Sequence, residues 1–310
     1  MLRYVANKFF SMLVSLFILI SATFFLMKAI PGDPFMGEKK PSPEILARLM
    51  EQYDLDKPVF QQYTKYLGNI LHGDFGLSMK QQGQSVTGII TDTFAPSLKL
   101  GLIAIVVSVI VGVLLGMLAA LYHRKLIDNV AMIVSVLGIA VPSFVLASLL
   151  QYVLAEKAGI FNVMGFNGPL DYVLPVMALS AQPIAFIARL TRSSMLEVLH
   201  SDYIKTAKAK GLSWIAIMFR HVIRNGILPV VTYVGPMTAN IITGSVVIEQ
   251  IFGIGGIGKQ FVDSITNRDY TVIMGITIFY GILLMTARFI TDIAYVLVDP
   301  RIKLNGGKEG

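Results

Sequence analysis

Residues 201–211 read Ser-Asp-Tyr-Ile-Lys-Thr-Ala-Lys-Ala-Lys-Gly, within a basic segment from Arg189 to Asn225 that long apolar runs flank on both sides. Ser201 is placed to cap a short helix, and Asp202 complements the positive end of its dipole. Thr206, Ala207 and Ala209 keep its surface low, and Gly211 suits the left-handed position that closes a helix. At about 1.5 Å per residue such a helix is ~14 Å long, too short and too polar to cross a membrane. Two readings stand side by side: a solvated loop helix, or a cationic rod that another protein grips.

The surrounding composition sets the solvent. Of 310 residues, 55% are hydrophobic and 15% charged, against about 25% charged in soluble domains, so the chain reads as an all-α integral membrane protein. The net charge of +7 is scattered between apolar runs and gathers on no single face. The membrane surface, not nucleic acid, is the expected partner. With no cysteine, the chain has no disulfide, thiolate metal site or Cys nucleophile.

Six runs are long enough to span as helices: Phe9–Met27, Leu100–Tyr122, Val130–Ala155, Tyr172–Ala188, Asn225–Ile248 and Tyr270–Val298. Arg3 and Lys8 give the first run the look of a signal peptide, but its apolar stretch is long and no small-x-small site precedes Pro31-Gly32-Asp33. It is read as a retained helix. Fourteen lysines and arginines lie in the N-terminus, the Arg124-Lys125 loop, the 189–225 loop and the tail; the opposite short loops hold Lys157, Lys259 and Arg268. Positive-inside logic places both termini and residues 201–211 in the cytoplasm. The resulting division is an N-terminal span (1–30), an extracytoplasmic segment with short helices (31–96), a five-helix core (97–298) holding the loop 189–227, and a tail (299–310). Segment 31–96 carries helical spacing at Pro43–Met50 and around Tyr63, Tyr66 and Ile70, with a turn at Gly73-Asp74-Phe75-Gly76.

Within the spans, Pro142, Pro175, Pro183 and Pro236 are expected to break the backbone ladder. Thr232, Thr238, Asn240, Thr243 and Ser245 make the fifth run the most polar; they serve helix packing or line a wet pathway. Arg288 and Asp292 lie four apart on one helical face, as a structural ion pair or, in an ion-coupled secondary transporter, a coupling site.

Three motifs are weighed and set aside. Gly253-Ile254-Gly255-Gly256-Ile257-Gly258 fits the dinucleotide pattern but follows an apolar run, without the strand–turn–helix setting it needs. Gly258-Lys259 is followed by Gln260, so no Walker A loop exists and no nucleotide hydrolysis is expected here. His200, Ser201 and Asp202 are consecutive and point apart, and His72, His123, His200 and His221 show no metal-ligand spacing. No catalytic residue, metal site or cofactor is assigned.

Several stretches together resemble the first of the two permease subunits of bacterial oligopeptide and dipeptide ABC importers. Asp202-Tyr203-Ile204-Lys205-Thr206-Ala207-Lys208-Ala209-Lys210-Gly211 is similar to the core of that family's EAA loop, led in by Arg189-Leu190-Thr191-Arg192 and closed by His221 to Asn225 and Leu228-Pro229. Leu55-Asp56-Lys57-Pro58, Gln62-Tyr63, Gly73 to Ser78, Glu249 to Gly258, Asn267 to Tyr270 and Asp299-Pro300-Arg301 extend the likeness. Lys205 and Thr206 stand where the general loop has Glu and Ala, and Arg224 where a proline is common. The resemblance implies a type I importer permease fold of six transmembrane helices in the bacterial inner membrane. It implies that 202–211 is a coupling helix seated on one of two ATP-binding subunits, which would hold the ATP and Mg. A homologous second permease, an extracytoplasmic peptide-binding protein and peptide cargo complete the set, with lipid around it. Dipeptide and nickel importers share the pattern.

Overall fold

The structure is a computed structural model and describes residues 2–30, 35, 42–166, 168–242 and 246–298, without the side chains of 2, 3, 239 and 294–298. Pro31-Gly32-Asp33, Thr243, Ser245 and the 299–310 tail lie outside the described residues.

Helix follows helix along the chain. α1 spans Leu2–Ala29, α2 Pro43–Gln52, α3 Val59–Leu71 and α4 Val86–Leu121. α5 (Leu126–Ala140) and α6 (Ser143–Leu150) meet at Val141-Pro142, and α6 runs on as a π-helical stretch, Gln151–Lys157. A 3-10 turn at Pro169–Tyr172 opens into α7 (Val173–Leu199), followed by α8 (Asp202–Ala209). α9 (Trp214–Ile217), a second π-helical stretch (Met218–Ile223) and α10 (Arg224–Gly226) lead to α11 (Leu228–Ile242). α12 (Val246–Phe252), α13 (Ile257–Asn267) and α14 (Tyr270–Val298) complete the order. Among the described residues, extended pairing is confined to a bridge between Leu77 and Ser85.

Among the described residues, four helices are long and apolar enough to span, and two bent pairs raise the number to six. The pairs revise two expected spans. Val130–Ala155 is not straight: its halves meet at 105°. Pro142 cannot donate to the ladder, and the residue before it is held extended (Val141 ψ 120). Asn225–Ile248 is not one straight helix either: Trp214–Gly226 meets α11 at 42°. The other prolines do not break their helices. Pro183 and Pro236 lie inside continuous α7 and α11, and Pro175 lies in the first turn of α7, where no N–H bond is lost.

The chain forms two compact units, Met1–Ser97 with Gly255–Gly310, and Leu98–Ile254.

In the first unit α1 runs along α14. A Cβ at Gly281 would come within 2.0 Å of Leu19, so the helices approach where glycine leaves room. Phe24 of α1 packs against Tyr63 and Tyr66 of α3, with ring centroids 5.4 and 5.7 Å away. Asp269, 2% exposed, heads α14. It accepts the N–H of Met79 (3.1 Å), Lys80 (3.3 Å) and Val272 (3.3 Å), and the hydroxyls of Ser78 and Thr271. One carboxylate thus fixes the 78–81 turn to the start of α14. The expected turn at Gly73–Gly76 is present, with φ +76° and +90° at its two glycines.

In the second unit α7 is the central element, packed by α5, α6 and α11. Gly112 and Gly116 of α4 sit one turn apart on the face that meets α7. Added Cβ atoms would lie 2.7 Å from Ile187 Cβ and 2.5 Å from the Ala188 carbonyl. This Gly-x-x-x-Gly spacing is the small-residue device for close helix approach in lipid.

Two predictions follow from this packing. Gly116→Ala should destabilise the purified protein by about 1–3 kcal/mol, because the methyl meets backbone rather than a flexible side-chain end. Gly68→Ala, on α3 with open space around it, should stabilise by about 0.5–1 kcal/mol; thermal unfolding in detergent measures both. The second concerns pH. Hydrogen bonds from Lys57 and Lys65 hold the Asp54 carboxyl below its ordinary value. This tie between the α2–α3 turn and α3 is fully present above the ordinary carboxylate range and is lost as pH falls through the depressed folded value. Amide-exchange protection factors across 53–62, corrected for the intrinsic pH dependence of exchange, should fall in acid in the wild type and stay flat with pH in Asp54→Asn.

Candidate functional site: a capped helix and the ion cluster at its root

α8 is built as its sequence implies, except at its N-terminal cap. Ser201 has the extended backbone of a cap residue (φ −69°, ψ 152°), but its hydroxyl donates to the Val198 carbonyl at 2.6 Å instead of accepting from the helix. Gly211 is left-handed (φ +78°). Its N–H donates to the Lys208 carbonyl (2.9 Å) and the Leu212 N–H to the Ala207 carbonyl (3.2 Å), the paired closure of a helix C-terminus.

The outer face differs from expectation. Ile204 and Ala207, one turn apart, are buried with Met195, Val198, Ile217, Met218 and Val222. Ala207 therefore roots the helix and does not lower its outer surface. Asp202, Tyr203, Lys205, Thr206, Lys208, Ala209, Lys210 and Gly211 are exposed. Lys205 pairs with Asp202 at 2.8 Å, and the Lys208 ammonium lies 5.5 Å from the Trp214 ring centroid. Lys210 has neither kind of partner among the described residues.

Beneath α8, the end of α7 is tied to the α4–α5 turn. Asp128, 2% exposed in the first turn of α5, accepts two bonds from the Arg192 guanidinium, Nε at 2.5 Å and Nη2 at 2.8 Å. The Arg124 N–H adds a third at 2.9 Å. His123 Nδ1 lies 3.0 Å from Asp128 and 3.1 Å from Arg192. A forked guanidinium holding one carboxylate fixes both distance and orientation. α7 enters α8 only through His200 and Ser201, so this clamp sets where the exposed rod sits.

The remaining expected residues are not gathered here. Thr232 donates to the Pro229 carbonyl at 2.7 Å, Thr238 is half-buried and Asn240 is exposed on α11. Asp292 is not paired with Arg288 among the described residues; its partner is Lys8 of α1, at 2.8 Å. The four-residue spacing did put both groups on one face, but a lysine presented by the neighbouring helix α1 takes the carboxylate. The glycine-rich stretch 253–258 ends α12 and starts α13, with Gly253 left-handed at φ +65°, which is a helix–turn–helix setting. His72 and His200 bond to carbonyls of their own preceding turns.

Sequence reading missed Asp128, His123, Gly112 and Gly116. The glycine spacing was visible. So was an acidic residue at the edge of an apolar run, which needs a cation, although nothing named Arg192, 64 positions further on, as that cation.

An all-helical chain with four to six candidate spans, bearing a short exposed helix rooted on one of them, is an integral-membrane transport component in type. The chain belongs to the family described as the binding-protein-dependent transport system inner membrane component, which matches residues 112–304, with its N-terminal component matching 1–101. It is 47% identical to the dipeptide transport system permease protein DppB of Bacillus subtilis, over 98% of this chain and 99% of that one. It is 43% identical to the oligopeptide transport system permease protein OppB of Haemophilus influenzae, over 98% and 100%. Among solved structures, an amino acid ABC transporter aligns with a TM-score of 0.54 at 20% identity, covering 67% of this chain and 93% of that one. That likeness is one of fold.

Arg192→Ala, leaving Asp128 without its cation, should destabilise the protein by about 3–5 kcal/mol, whereas Arg192→Met with Asp128→Leu should cost much less. A double-mutant cycle from thermal unfolding in detergent measures the difference.

Proposed function

We propose that this chain is a permease subunit of an ATP-driven peptide importer, contributing half of a translocation pathway in the bacterial inner membrane. It acts with a homologous second permease, two ATP-binding subunits and an extracytoplasmic peptide-binding protein. Both termini and α8 face the cytoplasm. The chain itself catalyses nothing; ATP and Mg are held by the partner subunits.

The observation that carries this reading is α8: a polar helix of eight residues, exposed on one face, anchored on the other, and joined to α7 through His200 and Ser201 alone. Such a rod passes rigid-body motion to the spans with little loss, because its root is packed and its entry is clamped by Arg192 and Asp128. Alternating access then follows from a partner's nucleotide state biasing two arrangements of the spans. Tyr203, Thr206, Ala209 and Lys210 are the contact positions. Asp202 and Lys205 satisfy each other, and Ile204 and Ala207 hold the helix in place. Peptide cargo is supported by full-length similarity to dipeptide and oligopeptide permeases. An ion-coupled transporter is less well supported, since Asp292 is engaged by Lys8 instead of Arg288.

In proteoliposomes holding the whole complex, Ala209→Arg should reduce ATP-driven peptide uptake at least tenfold while the permease still folds and inserts. Full uptake by that variant would contradict the coupling role.

A further inference from the structure

Two cavities in the Leu98–Ile254 unit, of about 590 and 480 Å³, meet at Val107 and Met177, which line both. Together they form one trough. α4 supplies a single stripe of five residues spaced four apart, Lys99, Ile103, Val107, Val111 and Leu115, and α7 supplies Val173, Met177 and Ala181. At about 1.5 Å per residue the α4 stripe runs ~24 Å. The neighbouring α4 stripe, with Gly112 and Gly116, is the one pressed onto α7. The trough is therefore a gap beside a tight helix contact.

Its polar inventory is short. Ser135 donates to the Ala131 carbonyl (2.8 Å) and Ser180 to the Met177 carbonyl (3.5 Å), each within its own helix. The Gly168 N–H is taken by Asp171 at 2.8 Å. One charge remains in the lining, Lys99, at one end. Its ammonium lies 4.6 Å from the Tyr172 ring centroid, and among the described residues it has no carboxylate partner.

A peptide laid in this trough would find few groups besides the Lys99 ammonium and the Tyr172 hydroxyl, both at one end, to answer its backbone, at several kcal/mol for each N–H or C=O left unpaired. A hydrocarbon chain has no such groups. With a hydrocarbon core of ~30 Å, one leaflet's tail covers about 15 Å, which the trough exceeds. The cation and aromatic ring at its head match the position and charge of a phosphate at the membrane interface. We infer that the trough is a binding site for an anionic phospholipid, one acyl tail lying along the α4 and α7 stripes and the phosphate at Lys99. A free fatty acid offers the same chemistry, an anionic head on a single chain.

The test uses the assembled complex in membranes and a phosphatidylglycerol carrying a photoreactive group in its tail, with labelled peptides mapped by mass spectrometry. Residues 173–184 should be labelled in the wild type and in Lys99→Arg. Labelling should fall at least tenfold in Lys99→Gln, and disappear in Val107→Trp, where the indole fills the junction. Unlabelled phosphatidylglycerol should compete and oleate should not; competition by oleate alone would overturn the phospholipid assignment. Labelling unchanged in Lys99→Gln, displacement by a peptide substrate, or a cross-link from Met177→Cys to the second permease in place of lipid labelling would overturn the site.

Discussion

A carboxylate that folding withdraws from water has to be answered where it sits, and beside its local partners Arg124 and His123, Asp128 takes a guanidinium from 64 positions further along the chain. That bond fixes the last turns of α7 against the α4–α5 turn. Everything beyond it in sequence, from His200 through α8, is positioned by those turns. Removing water from an ion pair is expensive, so burial of Asp128 is poor evidence of a gain in stability. It is better evidence that the geometry matters: a guanidinium fork tolerates little rotation, and the helix it holds is the one that carries the exposed rod.

The same unit shows how helices are held together where the surroundings offer no hydrophobic drive. Gly112 and Gly116 let α4 approach α7 to backbone distance, and Ser108 and Ser135 return their hydroxyls to their own helices. Where the backbone departs from a regular helix, side chains take over the exposed carbonyls. Gln151, at the head of the π-helical stretch, donates to the carbonyls of Val163 and Ile251 at 2.8 and 2.9 Å. Irregular backbone at such a position is tolerated only when it is answered in this way. In the other unit Asp269 does comparable work with five donors.

Much of this was readable beforehand, because hydrophobic length and helix punctuation are local properties. Ser201, Asp202 and Gly211 announced α8, and Pro43 with its apolar spacing announced α2. What the sequence left open depended on distance in space. Pro142 bends its span by 105° while Pro183 and Pro236 do not interrupt theirs; a proline removes a donor in every case, and only the neighbours decide whether the ladder survives. Asp292 had a partner four residues away on its own helix and took Lys8 from another. Ala207 looked like part of an outer surface because it is small, yet its place one turn from Ile204 turned it inward. Each of these outcomes needs knowledge of which helix packs on which, and periodicity does not carry that.

The account rests on one face of α8 meeting a separate nucleotide-binding subunit. The chain lacks cysteine, so single cysteines at Tyr203, Ala209 and Ile204 can be placed in an otherwise silent background and cross-linked within the assembled complex. Linkage of the Tyr203 and Ala209 positions to an ATP-binding subunit, changing with bound nucleotide, and none from Ile204, is the predicted result. Labelling of Tyr203 and Ala209 by a reagent confined to the external side, or no linkage to any ATP-binding subunit, would contradict it.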